Sequence, residues 1–139
     1  MSDFNTQVIA EFRANRGRVV QSGGFGKSLV LLHTIGARSG IARVNPVLAR
    51  RDGQDWLISA SAAGAPQHPA WFVNLRAEPD VAIETDDGLV EVTAEELTGD
   101  EYDRAWRGFT SQSPAFAEYQ RRTGGRRIPV VRLRRRARV

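Results

Sequence analysis

Apolar residues recur through the first seventeen positions with the spacing of an amphipathic helix. They stand at i, i+4, i+5 and i+8, and they are Phe4, Val8, Ile9 and Phe12. This spacing places all four side chains on one stripe of a helix. Gly17 follows, and a glycine just beyond the last periodic residue typically ends a helix. Residues 1–17 are therefore predicted to form an N-terminal amphipathic helix.

Strand patterns dominate the segments that follow. The apolar run at 28–34 predicts a buried strand, because it is short and continuous. Apolar and polar residues alternate on both sides of the Asp-Gly pairs at 52–53 and 87–88. Since Asp-Gly is favoured in tight hairpin turns, these patterns predict two β-hairpins. The stretch at 128–135 predicts a last strand that returns to the sheet.

Two other segments have helical patterns. Residues 68–79 predict a short helix with proline near its first turn and a second proline just beyond its end. Residues 99–125 predict one or two helices, the second starting near Ser113 and Pro114. Short hairpin turns leave no room for parallel crossovers, so the sheet should be mainly antiparallel. The predicted fold is α+β, with six strands in a small barrel or strongly curved sheet and flanking helices.

Composition is that of a soluble globular domain. With 139 residues and 41% hydrophobic content, the chain is predicted to fold as one domain over residues 1–139. It has neither an apolar run of ~18 residues nor a signal-like N-terminus, which predicts a cytoplasmic location. Cysteine is absent, so disulfides, thiolate zinc sites and a cysteine nucleophile are excluded. Two histidines do not support a histidine-rich metal site, and we predict no metal.

Charge is distributed unevenly around a net value of +4. Residues 121–139 contain nine arginines and no acid, which leaves 11 basic and 16 acidic residues, or −5, in the rest of the chain. The basic tail at 134–139 could be solvated, or it could dock on anionic lipid, nucleic acid or a neighbouring subunit. The solvated interpretation is favoured, because most charge runs serve solubility.

Familiar enzyme motifs are missing. The stretch SGGFGKS has Gln21 where a phosphate-binding loop needs glycine, and it precedes a strand instead of a helix. No G-x-S-x-G sequence is present to hold a serine nucleophile. His33 falls in an apolar strand and is interpreted as a core histidine, whereas His68 precedes a proline at a helix start and suggests a turn role.

The stretch TIGARSGIARVNP at 34–46 is unusual, because it combines two glycines with Arg38 and Arg43. Exposed backbone N–H groups beside guanidinium groups bind phosphate or carboxylate well. Trp71 and Phe72 follow on a helix whose N-terminus also attracts anions. These residues predict an anionic, partly aromatic cofactor, unless the arginines merely cap the barrel.

Four blocks, in the same order, resemble the deazaflavin-dependent nitroreductase family, split β-barrel oxidoreductases that use coenzyme F-420. They are FNTQVIAEFRANRGRV, LLHTIGARSGIARVNPV, HPAWFVNLRAEPDV and RRIPVVRL. The resemblance implies an open antiparallel barrel related to the FMN-binding split barrels, which agrees with the strand pattern.

The resemblance also implies site residues. The cofactor's phosphate and glutamate tail, its length and its ring would be bound by Ala37, Arg38, Ser39, Arg43, Asn45, Pro46, Val47, Ser59, Ala60, Ser61, Ala62, Gly64, Ala70, Trp71 and Asn74. The acceptor pocket would be lined by Phe12, Trp71, Phe116 and Tyr119. Tyr119 would act as the catalytic hydrogen-bond donor to the acceptor. Ala37, Ala62 and Phe116 depart from residues frequent in the family, which puts tail affinity and nitroreductase activity in question.

The implied function is hydride transfer from reduced F-420 to a quinone, an activated enone or a nitro-compound. Two alternatives stay open at this stage: a non-catalytic F-420 carrier, and an FMN-dependent oxidoreductase on the same barrel. The expected partner is a small-molecule electron acceptor. A homodimer and peripheral contact with the inner membrane face, through the N-terminal helix or the basic tail, also stay open, whereas no nucleic acid is expected.

Overall fold

The computed structural model describes residues 3–136, in which six strands form a closed antiparallel barrel. The strands are β1 (Leu29–Ile35), β2 (Ala42–Asp52), β3 (Asp55–Ser59), β4 (Asp80–Thr85), β5 (Gly88–Glu96) and β6 (Val130–Arg135). Their order around the barrel is β1-β2-β3-β6-β5-β4. The α+β barrel predicted from the sequence is therefore confirmed, although its ring of strands is closed and not open as the resemblance implied.

Tight turns and three pairings between strands distant in the chain close the ring. Residues 53–54 join β2 to β3 and residues 86–87 join β4 to β5, as the Asp-Gly pairs predicted. Strand β1 pairs with both β2 and β4, and the latter contact brings Leu31 opposite Glu84. Every pairing between these strands is antiparallel, including those of β6 with β3 and with β5.

Four α-helices and one short 3₁₀ turn lie around the barrel in the described part of the chain. They are α1 (Asp3–Ala14), α2 (Ala70–Ala77), α3 (Gly99–Gln112), α4 (Ala115–Arg122) and the 3₁₀ turn Ala62–Gly64. The predicted segment at 99–125 contains two helices, and Pro114 stands between them. The 3₁₀ turn has no counterpart in the sequence prediction.

The core divides into an interior and two outer clusters. Alternate strand residues such as Leu32, Ile58 and Leu133 fill the barrel, and Phe72 and Leu75 of α2 join them. Helix α2 therefore closes one end of the barrel with its apolar face. On the outside, α1 packs over β1, whereas α3 and α4 pack over β3 and β6.

Two side chains differ from the sequence prediction. Phe4 is 48% exposed, whereas the other residues of its helical stripe are buried. Its ring lies edge-on to the Phe25 ring, with the ring centres 6.4 Å apart. His33 is half-buried, and its Nε2 lies 2.7 Å from a carboxylate oxygen of Glu84. Its side chain points out of the barrel, because neighbouring residues of a strand alternate between faces. The interpretation of His33 as a core residue was therefore wrong.

The arginines at the C-terminal end bind the protein's own surface. Arg132 contacts Glu101 at 2.8 Å and Asp52 at 3.2 Å, and Arg134 contacts Glu95 at 3.2 Å. The guanidinium of Arg135 lies 4.9 Å from the centre of the Trp56 ring. The described part of the predicted basic tail is thus engaged with the barrel, and residues 137–139 lie outside the described residues.

A carboxylate on α1 anchors the loop between α1 and β1. Glu11 accepts backbone hydrogen bonds from Val20 at 2.6 Å, Ser22 at 2.9 Å and Gln21 at 3.0 Å. The N–H groups of Gln21 and Val20 are the main reason that the pKa of Glu11 falls from 4.5 to about 2. A carboxylate that accepts several N–H bonds is favoured in its charged form.

The variant Glu11→Gln is therefore expected to be less stable than the unaltered chain at neutral pH. The Glu11 contribution is complete above pH 4.5 and disappears as the pH falls toward about 2, because the folded-state pKa lies below the unfolded one. Denaturant unfolding across this interval should show the difference between the two proteins shrinking with acidity. A difference that stays constant down to pH 2 would contradict the anchor.

No helix within residues 3–136 has the length and apolar character needed to cross a membrane.

Candidate active-site groove

A groove of about 840 Å³ lies between α2 and the turn that joins β1 to β2. Its walls are Asn5, Gly36, Ala37, Arg38, Ser39, Arg43, Asn45, Pro46, Pro69, Ala70, Trp71, Val73 and Asn74. Two of these residues are cationic and none is acidic, so the groove has a positive potential. Its volume is in the range typical of small-molecule sites.

The turn at residues 36–41, which we call the arginine turn, is held in a compact shape by backbone bonds. The Gly36 N–H donates to Ile41 O at 2.9 Å, and the Gly40 N–H donates to Gly36 O at 2.9 Å. Gly40 has a φ of +70°, which glycine adopts without a steric penalty. At Gly36 a side chain would collide with Ser39 Oγ. The backbone conformation thus favours glycine at position 40, whereas a Cβ at position 36 would require the Ser39 side chain to move.

Asn74 connects helix α2 to the arginine turn. Its Oδ1 accepts the Ala37 N–H at 3.0 Å, and its Nδ2 donates to Thr34 Oγ1 at 3.4 Å. The side chain is only 9% exposed, so these bonds form largely out of water. Its polar atoms are therefore occupied by the protein, and Asn74 fixes the distance between the turn and the helix.

Arg38 and Arg43 are both exposed at the groove and carry no ion pair or side-chain hydrogen bond within residues 3–136. The backbone N–H groups of Arg38 and Ser39 likewise donate to no described protein group. Unpaired guanidinium groups beside free N–H groups are available to an anion.

The opposite wall of the groove is formed by the start of α2. Pro69 and Ala70 line the groove at the N-terminus of this helix, where the helix dipole is positive. Trp71 follows, half-buried, with one part against the barrel core and another in the groove. Its indole ring lies edge-on to the Phe72 ring, with the ring centres 6.4 Å apart, and this contact restricts rotation of the indole. An aromatic surface thus lies across from the cationic turn.

The predicted loop at 59–64 precedes the groove residues Pro69 and Ala70 in the chain but is absent from the groove lining. Ser59 and Ala60 are buried, whereas Ser61 and Ala62 are half-buried. Ser59 Oγ has no hydrogen-bond partner among the described residues.

Among the residues predicted for the acceptor pocket, Trp71 lines the groove, whereas Phe12, Phe116 and Tyr119 do not. Phe12 of α1 is buried, because it lies on the apolar side of the helix and faces β1. Phe116 is buried, and Tyr119 half-buried, in the cluster of α3 and α4, with their rings 6.0 Å apart. The structure therefore distributes these four residues over three clusters, and the pocket stays a prediction.

Several groove residues were not predicted from the sequence. Gly36, Asn5, Pro69 and Val73 line it, whereas the side chain of the predicted Val47 is buried inside the barrel. Gly36 and Pro69 stand within the sequence motifs that pointed to the site and could have been found there. Asn5 and Val73 also stand within the quoted blocks, but which side of α1 and α2 faces the groove depends on how these helices pack.

No group of three or more His, Cys, Asp or Glu side chains within residues 3–136 is placed to hold a metal ion. The donor set of the groove instead suits an anionic organic molecule with a flat ring. Two unpaired arginines, free N–H groups and a helix N-terminus match a phosphate- and carboxylate-bearing tail, and the indole of Trp71 matches a deazaflavin or flavin ring.

Comparisons with known proteins find similarity to F420-dependent reductases over nearly the whole chain. A family model described as "F420H(2)-dependent quinone reductase" matches residues 4–135. A protein of Mycobacterium tuberculosis with that name is 36% identical over 130 residues, covering 91% of this chain and 87% of the relative. A solved structure described as an F420-H2-dependent reductase has a TM-score of 0.69 and 35% identity, covering 77% of this chain and 94% of its own.

A second solved structure, described as a domain-swapped dimer, has a TM-score of 0.71 and 31% identity. The match covers 92% of this chain and 96% of that one. Fold, groove chemistry and sequence similarity agree. The chain belongs to the F420H(2)-dependent quinone reductase family, and coenzyme F-420 is its cofactor.

Proposed function

We propose that the groove beside α2 binds coenzyme F-420, with the anionic tail along the arginine turn and the ring against Trp71, for the reduction of a quinone. One observation carries this proposal: Arg38 and Arg43 line a groove without acidic residues and have no ion pair of their own in the described part of the chain. Cations held without internal partners are suited to an external anion.

Different residues of the groove would bind different parts of the cofactor. Arg38 and Arg43 supply forked donors for phosphate and carboxylate groups. Asn74 keeps the arginine turn at a fixed distance from α2 through its bond to the Ala37 N–H. Trp71 supplies a flat apolar surface, and the N-terminus of α2 adds a positive potential. When bound, the reduced deazaflavin supplies a hydride, because carbon replaces the reactive flavin nitrogen.

The reduction of a quinone to a hydroquinone consumes one hydride and one proton. We assign the proton-donating or hydrogen-bonding role toward the acceptor oxygen to Tyr119, with bulk water as the other source. Tyr119 stands on α4, where Phe116 packs edge-on against its ring at 6.0 Å. Activated enones and nitro-compounds are proposed as further acceptors, because they accept a hydride in the same way.

Mixing the purified protein with reduced F-420 and menadione tests this function. We expect cofactor oxidation well above the protein-free rate, and a lower rate with unchanged F-420 affinity in Tyr119→Phe. Binding without turnover would identify a carrier instead. Yellow protein carrying FMN after expression in a host without F-420 would overturn the proposed occupant of the groove.

Two statements about partners also belong to this proposal. A homodimer is supported by the similar solved structure that is described as a domain-swapped dimer. Peripheral membrane contact is proposed through α1, where the Phe4 ring is exposed, or through the basic tail at 134–139, in which Arg134 already pairs with Glu95.

A further inference from the structure

Arg126 connects the segment after α4 to the loop that precedes α2. Its Nε and Nη2 donate to Ala65 O at 3.1 and 2.9 Å, and Nη2 also donates to Ser61 O at 2.9 Å. Its Nη1 donates to Ala60 O at 3.0 Å and to His68 Nδ1 at 3.1 Å. A guanidinium has five N–H donors, and the five bonds use all of them. Arg126 therefore has no donor left for a ligand.

These bonds determine how the peptide units of the loop are oriented. The carbonyl groups of Ala60 and Ser61 point toward Arg126. No peptide bond of the described chain is cis, so the N–H of each unit points opposite to its carbonyl. The N–H groups of Ser61 and Ala62 consequently point away from the guanidinium, and neither donates to a described protein group.

The loop conformation would be unfavourable without such an anchor. Ala62 has a φ of +48° and Ala63 a φ of +52°, and alanine rarely adopts the left-handed region. Gly64 follows with a φ of +84° and packs its backbone against Tyr119 of α4. Tertiary contacts, with Arg126 at their centre, therefore maintain a backbone that the local sequence disfavours.

The other contacts of Arg126 extend to both flanking helices. Its own carbonyl accepts from Gln120 Nε2 at 2.7 Å and from Thr123 Oγ1 at 2.8 Å, which fixes its backbone to the end of α4. On the opposite side, His68 packs its ring against Phe72 of α2 with the ring centres 4.8 Å apart. One side chain thus joins the helix of Tyr119 to the helix of Trp71.

The bond to His68 requires an unprotonated Nδ1, because arginine only donates. Burial lowers the pKa of His68, Arg126 and Arg76 lower it further, and Glu96 opposes them. The acceptor state is therefore favoured at neutral pH, and the five-bond arrangement is complete there.

We propose that Arg126 is a positioning residue of the reductase, which turns the free N–H groups of Ser61 and Ala62 toward hydrogen-bond acceptors of F-420 while making no contact with the cofactor itself. This inference rests on the proposed function. Its physical basis is the planar guanidinium of Arg126, whose five N–H donors point in fixed directions and bind three carbonyls and one imidazole at the same time. Lysine has the same charge but only three donors on a flexible stem, so it does not reproduce the arrangement.

The test is Arg126→Lys, with Arg121→Lys as the matched control, because Arg121 is exposed and pairs only with Glu118 among the described residues. In the cofactor-free protein, hydrogen exchange of the peptide covering residues 60–68 should accelerate at least tenfold in Arg126→Lys and remain unchanged in the control. The dissociation constant for F-420 should rise at least fivefold, with the KM for menadione altered less than twofold.

Unaltered exchange in the loop, or unaltered F-420 affinity, in Arg126→Lys would overturn the inference. If that variant does not fold, His68→Ala, which removes one of the five bonds, should show smaller changes in the same direction, and the absence of any change there would equally overturn it. Failure of the proposed function is recognised separately, because the unaltered chain would then bind no F-420. Exchange in the variant would still decide whether Arg126 orders the loop.

Discussion

Replacing both Arg38 and Arg43 by alanine is expected to weaken F-420 binding by about 100-fold or more. A hydrogen bond to a charged group contributes about 1.5–3 kcal/mol, and about 1.4 kcal/mol corresponds to a factor of ten. Two such contacts therefore give at least ~3 kcal/mol, and Arg38→Ala alone should weaken binding about tenfold. Fluorescence titration of the cofactor measures both effects directly.

The double variant should keep the stability of the unaltered protein. Both side chains are exposed and carry no ion pair in the described part of the chain, so their removal breaks no hydrogen bond or ion pair there. Arg107→Ala is the matched control, because its side chain is also exposed and unpaired but stands on α3, outside the groove. An unchanged dissociation constant in the double variant would remove the basis of the proposed tail site.

Salt provides an independent check on the same site. Exposed charges are screened as ionic strength rises, so the affinity of the unaltered protein for F-420 should decrease. The double variant should lose much of this dependence. Equal salt sensitivity in both proteins would mean that other cations bind the tail.

Local signals in the sequence were sufficient for most of the fold. The hairpins at 52–53 and 87–88 were predictable because Asp-Gly turns join two alternating strands at fixed spacing. Helix α2 was predictable because prolines delimit it on both sides. The barrel itself required the pairing of β1 with β4, which is distant in the chain, and short antiparallel turns left few other arrangements.

Features that depend on long-range contacts were missed. The 3₁₀ turn Ala62–Gly64 contains two alanines in the left-handed region, for which no residue pattern exists. The arginines near the C-terminus formed a charge run in sequence, but Arg132 and Arg134 meet acids from other strands and from α3. Charge runs carry no information about such partners, since these come together only in the folded barrel.

The candidate site likewise contains features that the local sequence predicts and features that depend on long-range packing. The arginine turn was identified from its residues alone, because a turn needs its glycines but does not need the two arginines beside them. The groove residue Asn5 could not be identified, since its place depends on the packing of α1. Phe12 was assigned to the acceptor pocket as part of the apolar face of the N-terminal helix; in the structure this face packs against β1, and the assignment stays a prediction.

The variant Gly64→Ala is expected to lower the free energy of unfolding by about 2–5 kcal/mol. A Cβ at this position would lie 2.8 Å from Tyr119 O and 2.8 Å from Arg122 Cβ. Because a backbone oxygen and a Cβ cannot rotate away, α4 must shift, and overpacking of this kind costs about 1–3 kcal/mol. The φ of +84° adds about 1–2 kcal/mol of left-handed strain. Denaturant unfolding measures the sum.

Gly124→Ala separates the two contributions, because its φ is +74° and its Cβ would meet no atom within 4 Å. This control should lose only the strain of about 1–2 kcal/mol. The difference between the variants is then the steric contact between the loop and α4. Since that contact holds Tyr119 beside the loop, Gly64→Ala should also reduce menadione turnover at saturating F-420, whereas Gly124→Ala should not. Equal destabilisation by both variants would mean that the packing of Gly64 against α4 contributes nothing beyond backbone strain.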